Sequence, residues 1–314
     1  MEEKDDQTLV LEQARKDQEE GVKNPHLNID VNFVAPAPNP ELVAKNRFVL
    51  IRHGVTDFNW QFSEVVGKYG FSSLEFRDLK VDTQYIDIQL REEGVIQCEK
   101  SQSHASQINF RYVIVSQMVR ACQTAIHIFK NHPNKDKIKF IVIPLVKEGL
   151  NTGNDKCGTY ERMRKIIDPL VTEHNLHFDF SMMHTFGLPD LIQIKVTTEL
   201  DRLQEFYEYI SEDGKCEING HSEQLLKITY DRFPYRLEGP YEMYVRGIQF
   251  RKFLKHFINN LDLKEDDKIA VVSHSAFLSS LSCKGFDREK QLLVEPAQIF
   301  NCQFVPWETY EEYF

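Results

Sequence analysis

The sequence predicts an α/β fold, a three-layer α/β/α sandwich around a mostly parallel central sheet. From residue 47 onward, short apolar runs rich in β-forming residues alternate with segments of helical periodicity. This alternation is typical of a doubly wound sheet. Three of the apolar runs also end directly in Arg, Ser or His. In open α/β sheets, ligands bind at the carboxyl ends of the strands.

Composition limits the class of protein. The chain has 314 residues, of which 41% are hydrophobic and 27% are charged, as is usual for a globular protein. Its formal net charge of −10 argues against nucleic acid or an anionic membrane as the main partner. No apolar run approaches the ~18 residues of a membrane span. The acidic N-terminus has no signal-peptide pattern, and the six cysteines form no C-x-x-C pair. We therefore expect a cytoplasmic protein with reduced thiols.

Residues 1–46 differ in pattern from the rest and predict an N-terminal extension that precedes one domain at residues 47–314. Residues 5–20 could form a polar helix. The segment Val34–Pro40 contains three prolines, which remove backbone donors and end any helix there. The extension, or a helical insertion later in the chain, is a candidate surface for a protein partner.

The first predicted strand carries the most informative motif. Residues 48–51 are apolar and run directly into Arg52-His53-Gly54. Gly54 would let the chain turn sharply at the end of the strand. A guanidinium group can hold phosphoryl oxygens in a fork, and an imidazole beside it can act as nucleophile or base. The motif therefore predicts a phosphate site at this strand end.

The next segments extend the pattern. Residues 61–86 are predicted to form a long loop, and residues 87–97 resemble the start of a helix. A second strand at residues 112–116 ends in Ser116, which can cap the following helix. Arg120 falls in the first turns of that helix, where phosphate binding is already favoured.

Two further apolar runs predict strands that end in candidate catalytic residues. Residues 139–146 are followed by Glu148, a candidate proton donor, with Asp155 as the alternative acid. Residues 155–262 have a mostly helical pattern that includes 197–209. Residues 268–273 run into His274, and residues 297–304 predict a last strand.

Together these stretches resemble the histidine phosphatase superfamily, which has the fold of cofactor-dependent phosphoglycerate mutase. Thr56 and Asn59 also match the pattern that follows the first His in that family. The resemblance implies that His53 is the nucleophile and that Glu148 protonates the leaving oxygen. It also implies a set of phosphate-binding residues and no metal or cofactor. That set is Arg52, Asn59, Arg120 and His274. His274 also counts as catalytic, and it could bind a phosphoryl oxygen as an imidazolium.

The function expected from this resemblance is metal-independent hydrolysis of a phosphomonoester, on a phosphorylated small molecule or a phosphoprotein. A phosphoglycerate mutase is one alternative, but mutases continue with Arg and Tyr-Gly where this chain has Gly149-Leu150-Asn151. The other alternative is a non-enzymatic component of a larger assembly that keeps the fold. The acid-phosphatase branch has Asp directly after the second His, and this chain has Ser275 there. His174 and His177 are spaced as a metal pair, but solvated surface is the better interpretation.

Overall fold

A mixed, mostly parallel sheet forms the centre of the fold. The computed structural model describes residues 35–158, 160–185 and 238–307. The strands of this sheet are β1 (Phe48–Arg52), β2 (Phe110–Val115), β3 (Lys139–Val142), β4 (Phe178–Asp179), β5 (Lys268–Ser273) and β8 (Phe304–Trp307). Their order is β4-β3-β2-β5-β1-β8, and only β8 pairs antiparallel. A separate hairpin joins β6 (Gly285–Asp287) to β7 (Leu292–Val294).

Helices cover both faces of the sheet. They are α1 (Pro40–Lys45), α2 (Asp57–Tyr69), α3 (Leu74–Val81), α4 (Glu92–Lys100), α5 (Gln102–Ala105), α6 (Val119–Phe129), α7 (Tyr160–Glu173), α8 (Ser181–Thr185), α9 (Pro240–Asn259) and α10 (Ser275–Ser282). Side chains of β1 alternate between two separate cores, as the pleat requires. Val49 and Ile51 pack in the core that contains α6, whereas Phe48 and Leu50 pack in the core that contains α9 and α10. The predicted three-layer α/β/α fold is confirmed.

The parallel register brings three strand ends to one edge. Arg52 at the end of β1 pairs with Ser273 at the end of β5, and β2 pairs with β5 on its other side. The residues that follow these strands, His53, Ser116 and His274, therefore leave the sheet at the same edge. The site described below lies there, as the rule for open α/β sheets predicts.

Several predicted elements differ in the structure. Residues 61–86 are largely helical, because apolar residues spaced three or four apart in α2 and α3 pack against each other in a small core. Strand β3 is shorter than predicted, since Pro144 begins a 3₁₀ turn. The last strand lies at Phe304–Trp307, later than residues 297–304. Within residues 155–262, α7, α8 and α9 are helical, and the predicted helix at 197–209 lies outside the described residues.

The end of the predicted linker is part of the folded structure. Pro40 is the first residue of α1, a position in a helix where proline is favoured, and the Asn39 side chain accepts the first backbone N–H bonds. Val43 packs against the core, and Lys268 Nζ donates to the carbonyl oxygen of Ala44 at 2.9 Å. The boundary at residue 46 stays a prediction. Across the described ranges, no helix is long and apolar enough to cross a membrane.

Candidate active site

A cavity of roughly 300 Å³ opens at the carboxyl edge of the sheet. It brings together most of the predicted site residues, together with the alternative acid Asp155. The predicted residues in its lining are Arg52, His53, Asn59, Arg120 and Glu148. His274 is fully buried and does not line the cavity. The fold therefore brings together residues from motifs that are far apart along the chain.

The His53 ring is held in an orientation that suits a nucleophile. Its Nδ1 lies 2.7 Å from the carbonyl oxygen of Gly54, which can only accept, so we assign the proton to Nδ1. Its Nε2 then carries the lone pair and accepts from Arg120 Nε at 3.3 Å. Burial, followed by the charges of Arg120 and Arg52, holds the pKa of His53 well below its ordinary 6.5. A neutral imidazole with an unprotonated Nε2 is the nucleophilic form.

Gly54 allows the turn after His53 to pack tightly. Its backbone does not adopt the left-handed region, so conformational freedom is not what requires a glycine here. A Cβ at Gly54 would lie 2.8 Å from the carbonyl oxygen of Gly94, and a Cβ at Gly94 would lie 2.1 Å from that of Val55. The two glycines let α4 approach the loop that follows β1. Close approach, and not the sharp turn predicted from the sequence, is the reason for Gly54.

Arg120 is fixed at the start of α6. The helix does not begin at a Ser116 cap as predicted, since Met118 is the N-cap and offers no side-chain bond. The carboxylate of Asp87 instead accepts from the backbone N–H of Val119 at 2.8 Å. Arg120 is 1% exposed and donates to the carbonyl oxygen of Asn154 at 2.7 Å. The guanidinium group is thus held beside His53 at the positive end of a helix.

Arg52 carries a buried donor that is available to a ligand. Its NH1 donates to the carbonyl oxygen of Ile299 at 3.3 Å, but its Nε has no partner among the described residues. Burial lowers the pKa of Arg52, and the nearby Arg120 lowers it further, although Glu148 acts in the opposite direction. Two guanidinium groups in one buried site favour the binding of an anion.

The His274 ring packs against the His53 ring. The two ring centroids are 5.0 Å apart, and His274 Nε2 lies 2.8 Å from the Ser116 hydroxyl oxygen. The Nδ1 of His274 has no partner in the described part of the chain. Burial and the charge of Arg120 hold the pKa of His274 well below 6.5. This low pKa favours the neutral ring, and the binding of a phosphoryl oxygen by a His274 imidazolium stays a prediction.

Two carboxyl groups face the cavity, and their surroundings differ. Glu148 accepts backbone N–H bonds at both oxygens, from Gly149 at 2.8 Å, Phe277 at 3.0 Å and Ala276 at 3.2 Å. These last two N–H groups belong to the first turn of α10. All three contacts use oxygen lone pairs of Glu148 as acceptors.

The two carboxylate oxygens of Asp155 differ in their hydrogen bonds. Its Oδ2 accepts from the Thr152 N–H at 2.7 Å, the Thr152 hydroxyl at 2.9 Å and the Asn151 N–H at 3.2 Å. Its Oδ1 lies 3.8 Å from Arg120. Burial, then the negative charge of Glu148, raises the pKa of Asp155 to about 6, against the opposing effect of Arg120.

A buried ion network supports the segment that carries Glu148. Arg246 donates to both carboxylate oxygens of Glu238, at 2.6 and 2.8 Å, and to the carbonyl oxygen of Lys147 at 2.7 Å. Lys147 Nζ donates to the carbonyl oxygen of Glu148 at 3.1 Å and lies 3.7 Å from Glu238. Burial lowers the pKa of Lys147 to about 8. The network joins Lys147 to the distant pair Glu238 and Arg246, so no local sequence pattern indicates it.

Some residues of the site had no role in the sequence prediction. Asn301 donates from Nδ2 to the carbonyl oxygen of His53 at 2.6 Å. Asp87 was expected only as part of a helix start, yet it caps α6. Asn59 lines the cavity as predicted, but its Oδ1 accepts from the Thr56 N–H at 3.1 Å and completes a capping box at α2. Its remaining amide donor is the part available to a ligand.

Three further charged or titratable side chains are absent from the cavity lining. Arg162 lies 3.8 Å from the Asp87 carboxylate, and Arg164 pairs with Asp168. His174 lies 3.9 Å from Glu173. In residues 35–158, 160–185 and 238–307, no group of three or more His, Cys, Asp or Glu side chains is arranged to hold a metal.

Comparison with known proteins agrees with the motifs. Residues 48–148 match the family model of the histidine phosphatase superfamily, branch 1. This segment contains Arg52, His53, Arg120 and Glu148. The match confirms the superfamily resemblance and supports a role in phosphoryl transfer. No curated protein matches the chain.

Solved structures with low similarity include two mycobacterial proteins. One is described as mycobacterial hydrolase 1, with 13% identity, a TM-score of 0.37, and coverage of 76% of this chain and 79% of the other. The second is the mycobacterial glucosyl-3-phosphoglycerate phosphatase, with 13% identity, a TM-score of 0.36, and coverage of 76% and 77%.

Proposed function

We propose that this chain, whose residues 48–148 match the histidine phosphatase superfamily, is a phosphatase that hydrolyses a phosphomonoester through a phosphohistidine on His53. The observation that carries the proposal is the state of the His53 ring. Its low pKa favours the neutral form, its Nδ1 proton is held by the Gly54 carbonyl oxygen, and its Nε2 lone pair faces Arg120 in a cavity that Arg52 also lines.

The first step forms the phosphohistidine. The Nε2 lone pair of His53 attacks phosphorus in line with the ester oxygen, so the N–P bond forms as the P–O bond to the leaving group breaks. Arg52 and Arg120 bind the equatorial oxygens, where negative charge is spread in a loose transition state. The Nδ1–H bond to Gly54 stabilises the ring as it gains positive charge.

The leaving alkoxide requires a proton, and we assign the donor to the Glu148 and Asp155 pair. The sequence resemblance favours Glu148, whose two oxygens both accept backbone N–H bonds. The surroundings of Asp155 favour it as the proton-carrying member, because its pKa is raised to about 6 and its Oδ1 is open. Two neighbouring carboxyl groups with different surroundings are the usual arrangement for acid–base catalysis.

The second step restores the enzyme. The same carboxyl group, now ionised, accepts a proton from water, and the water oxygen attacks phosphorus. The N–P bond breaks, the electron pair returns to His53 Nε2, and inorganic phosphate leaves. The substrate is a phosphorylated small molecule or a phosphorylated side chain of a protein.

The experiment that tests this proposal measures release of inorganic phosphate from a panel of phosphomonoesters. We expect turnover by the wild-type chain and a loss of several orders of magnitude in kcat for His53→Ala. His174→Ala serves as the matched control, because that histidine lies away from the cavity, and it should keep wild-type activity. Equal turnover by His53→Ala would contradict the proposal. Transfer of phosphate between positions of an added phosphoglycerate, without phosphate release, would instead identify a mutase.

A further inference from the structure

Part of the cavity wall is aromatic. Phe58, Phe62 and Phe71 line the cavity that holds His53. The rings contact one another in sequence, with centroids 6.1 Å apart for Phe58 and Phe62 and 6.0 Å apart for Phe62 and Phe71. Phe58 is buried, whereas Phe71 at the outer end is 41% exposed. The rings thus extend from the interior of the site to its mouth.

Further aromatic contacts hold the side chains of this wall in place. Phe58 and Phe62 lie one turn apart on α2, and Phe71 follows that helix directly. Behind them, Phe76 of α3 contacts both Phe62 and Phe71 in edge-on geometry, at 5.5 and 5.6 Å. Tyr85 contacts Phe58 in the same way at 5.4 Å. Such aromatic contacts add to the energy of apolar burial and fix the ring orientations.

The charges in the described lining of the cavity disfavour a second anionic group on the substrate. Within the described part of the chain, its lining contains two cationic side chains, Arg52 and Arg120, and both lie beside His53. Two carboxyl groups, Glu148 and Asp155, line the same cavity. A carboxylate or second phosphate on the leaving group would meet these acids with no further cation in this lining. An uncharged leaving group avoids that repulsion.

From this wall and this charge distribution, we infer that the substrate is a phosphomonoester whose leaving group is uncharged and carries an aromatic ring. The inference rests on the proposed phosphatase function and adds the class of substrate. The phosphoryl group would contact Arg52 and Arg120 while the ring packs along Phe62 and Phe71. Phosphate esters of phenols and of arylalkyl alcohols, including a tyrosyl side chain, fit this description.

The test compares esters whose leaving groups have similar basicity. Benzyl phosphate and butyl phosphate both release an alkoxide, but only the first carries a ring. Glycerol phosphate represents polar uncharged alcohols, and 3-phosphoglycerate represents anionic ones. We expect kcat/KM for benzyl phosphate to exceed that for butyl phosphate by on the order of 3- to 10-fold, the effect of one aromatic contact. The ratio of kcat/KM for benzyl phosphate to that for 3-phosphoglycerate should be larger.

Variants of the aromatic wall test whether Phe71 causes the preference for benzyl phosphate over butyl phosphate. Phe71→Ala should lower kcat/KM for benzyl phosphate more than kcat/KM for butyl phosphate, and so remove most of the benzyl preference. Leu74→Ala is the matched control, because Leu74 is 66% exposed on the next helix and does not line the cavity. That variant should keep the preference. Phe71 is itself exposed, so its replacement is not expected to prevent folding.

Three outcomes would overturn the inference. These are equal kcat/KM for benzyl and butyl phosphate, a preference for 3-phosphoglycerate or glycerol phosphate, and a benzyl preference that Phe71→Ala leaves intact. Failure of the proposed function itself would give a different result. In that case p-nitrophenyl phosphate, which needs no proton donor, would also leave no phosphohistidine on the protein. Phosphohistidine formed from every ester at similar rates would reject the substrate class alone.

Discussion

Replacing Asp155 by Asn tests how the site supplies a proton. The amide is the same size as the carboxyl group and keeps an oxygen that can accept from Thr152, so the loop should hold its shape. It cannot carry a transferable proton. We expect Asp155→Asn to slow phosphorylation of His53 by an alkyl phosphate by roughly 10²–10⁴-fold. For p-nitrophenyl phosphate the loss should be far smaller, because that leaving group departs without protonation.

The raised pKa of Asp155 gives this prediction a pH dependence. Burial and Glu148 raise that pKa to about 6, and the protonated form is the one that donates. About nine-tenths of such a group is protonated at pH 5 and about one-hundredth at pH 8. The wild-type rate with an alkyl phosphate should therefore fall roughly 90-fold between these values. Neutral His53, with a pKa well below 6.5, does not produce a loss in the same direction.

The assay is a single-turnover measurement with both esters at saturating concentration from pH 5 to pH 8. Ionisation of the substrate itself is the same for every variant, so the informative quantity is the difference between variants. Asp155→Asn should lack the decrease that the wild type shows with the alkyl phosphate. Glu148→Gln removes the negative charge that helps to raise the pKa of Asp155, and should move the decrease to lower pH.

Two results would refute this reasoning. If Asp155→Asn slows both esters equally, Asp155 has a structural role or contacts the phosphate. If Glu148→Gln alone loses the alkyl phosphate reaction, while Asp155→Asn keeps its rate and its pH dependence, then Glu148 is the acid. That outcome would agree with the sequence resemblance.

Two further predictions concern the frame of the site. Gly94→Ala would put a Cβ 2.1 Å from a backbone carbonyl oxygen, so we expect a clear drop in Tm, whereas Gly67→Ala, with no atom within 4 Å, should keep or raise Tm. Equal effects in the two variants would contradict the close-approach argument. Glu238→Gln leaves buried Arg246 without its counter-charge and should lower the free energy of unfolding by about 3–5 kcal/mol in denaturant titration. The exposed pair at Asp168 is the control, since Asp168→Asn should lower the free energy of unfolding by less than about 1 kcal/mol. A similarly small decrease for Glu238→Gln would refute the prediction.

The local sequence pattern was sufficient to place the candidate site residues that lie at the end of a strand. Arg52, His53 and His274 come at the ends of apolar runs, so strand prediction alone brought them to one edge of the sheet. Arg120 followed the same logic one turn into a helix. The alternation of strands and helices, from Phe48 to Trp307, likewise predicted the layers of the fold.

The parts that the sequence did not reveal depend on contacts between distant segments. Asp87 caps α6 from another part of the chain, and no rule about adjacent residues predicts that. The helices after His53 were predicted as a loop because Gly67 and Gly70 obscured the apolar spacing. The pKa of Asp155 depends on burial and on its distance from Glu148, which only the folded structure provides.

The most direct test of the account is to locate the phosphoryl group during turnover. Protein is mixed with a labelled phosphomonoester, quenched in alkali within one turnover, digested and mapped by mass spectrometry. We predict one acid-labile phosphate on the peptide that contains His53, bound at Nε2, and none on His53→Ala treated in the same way. Label on another residue, or steady phosphate release by His53→Ala, would contradict the assignment of His53 as the nucleophile.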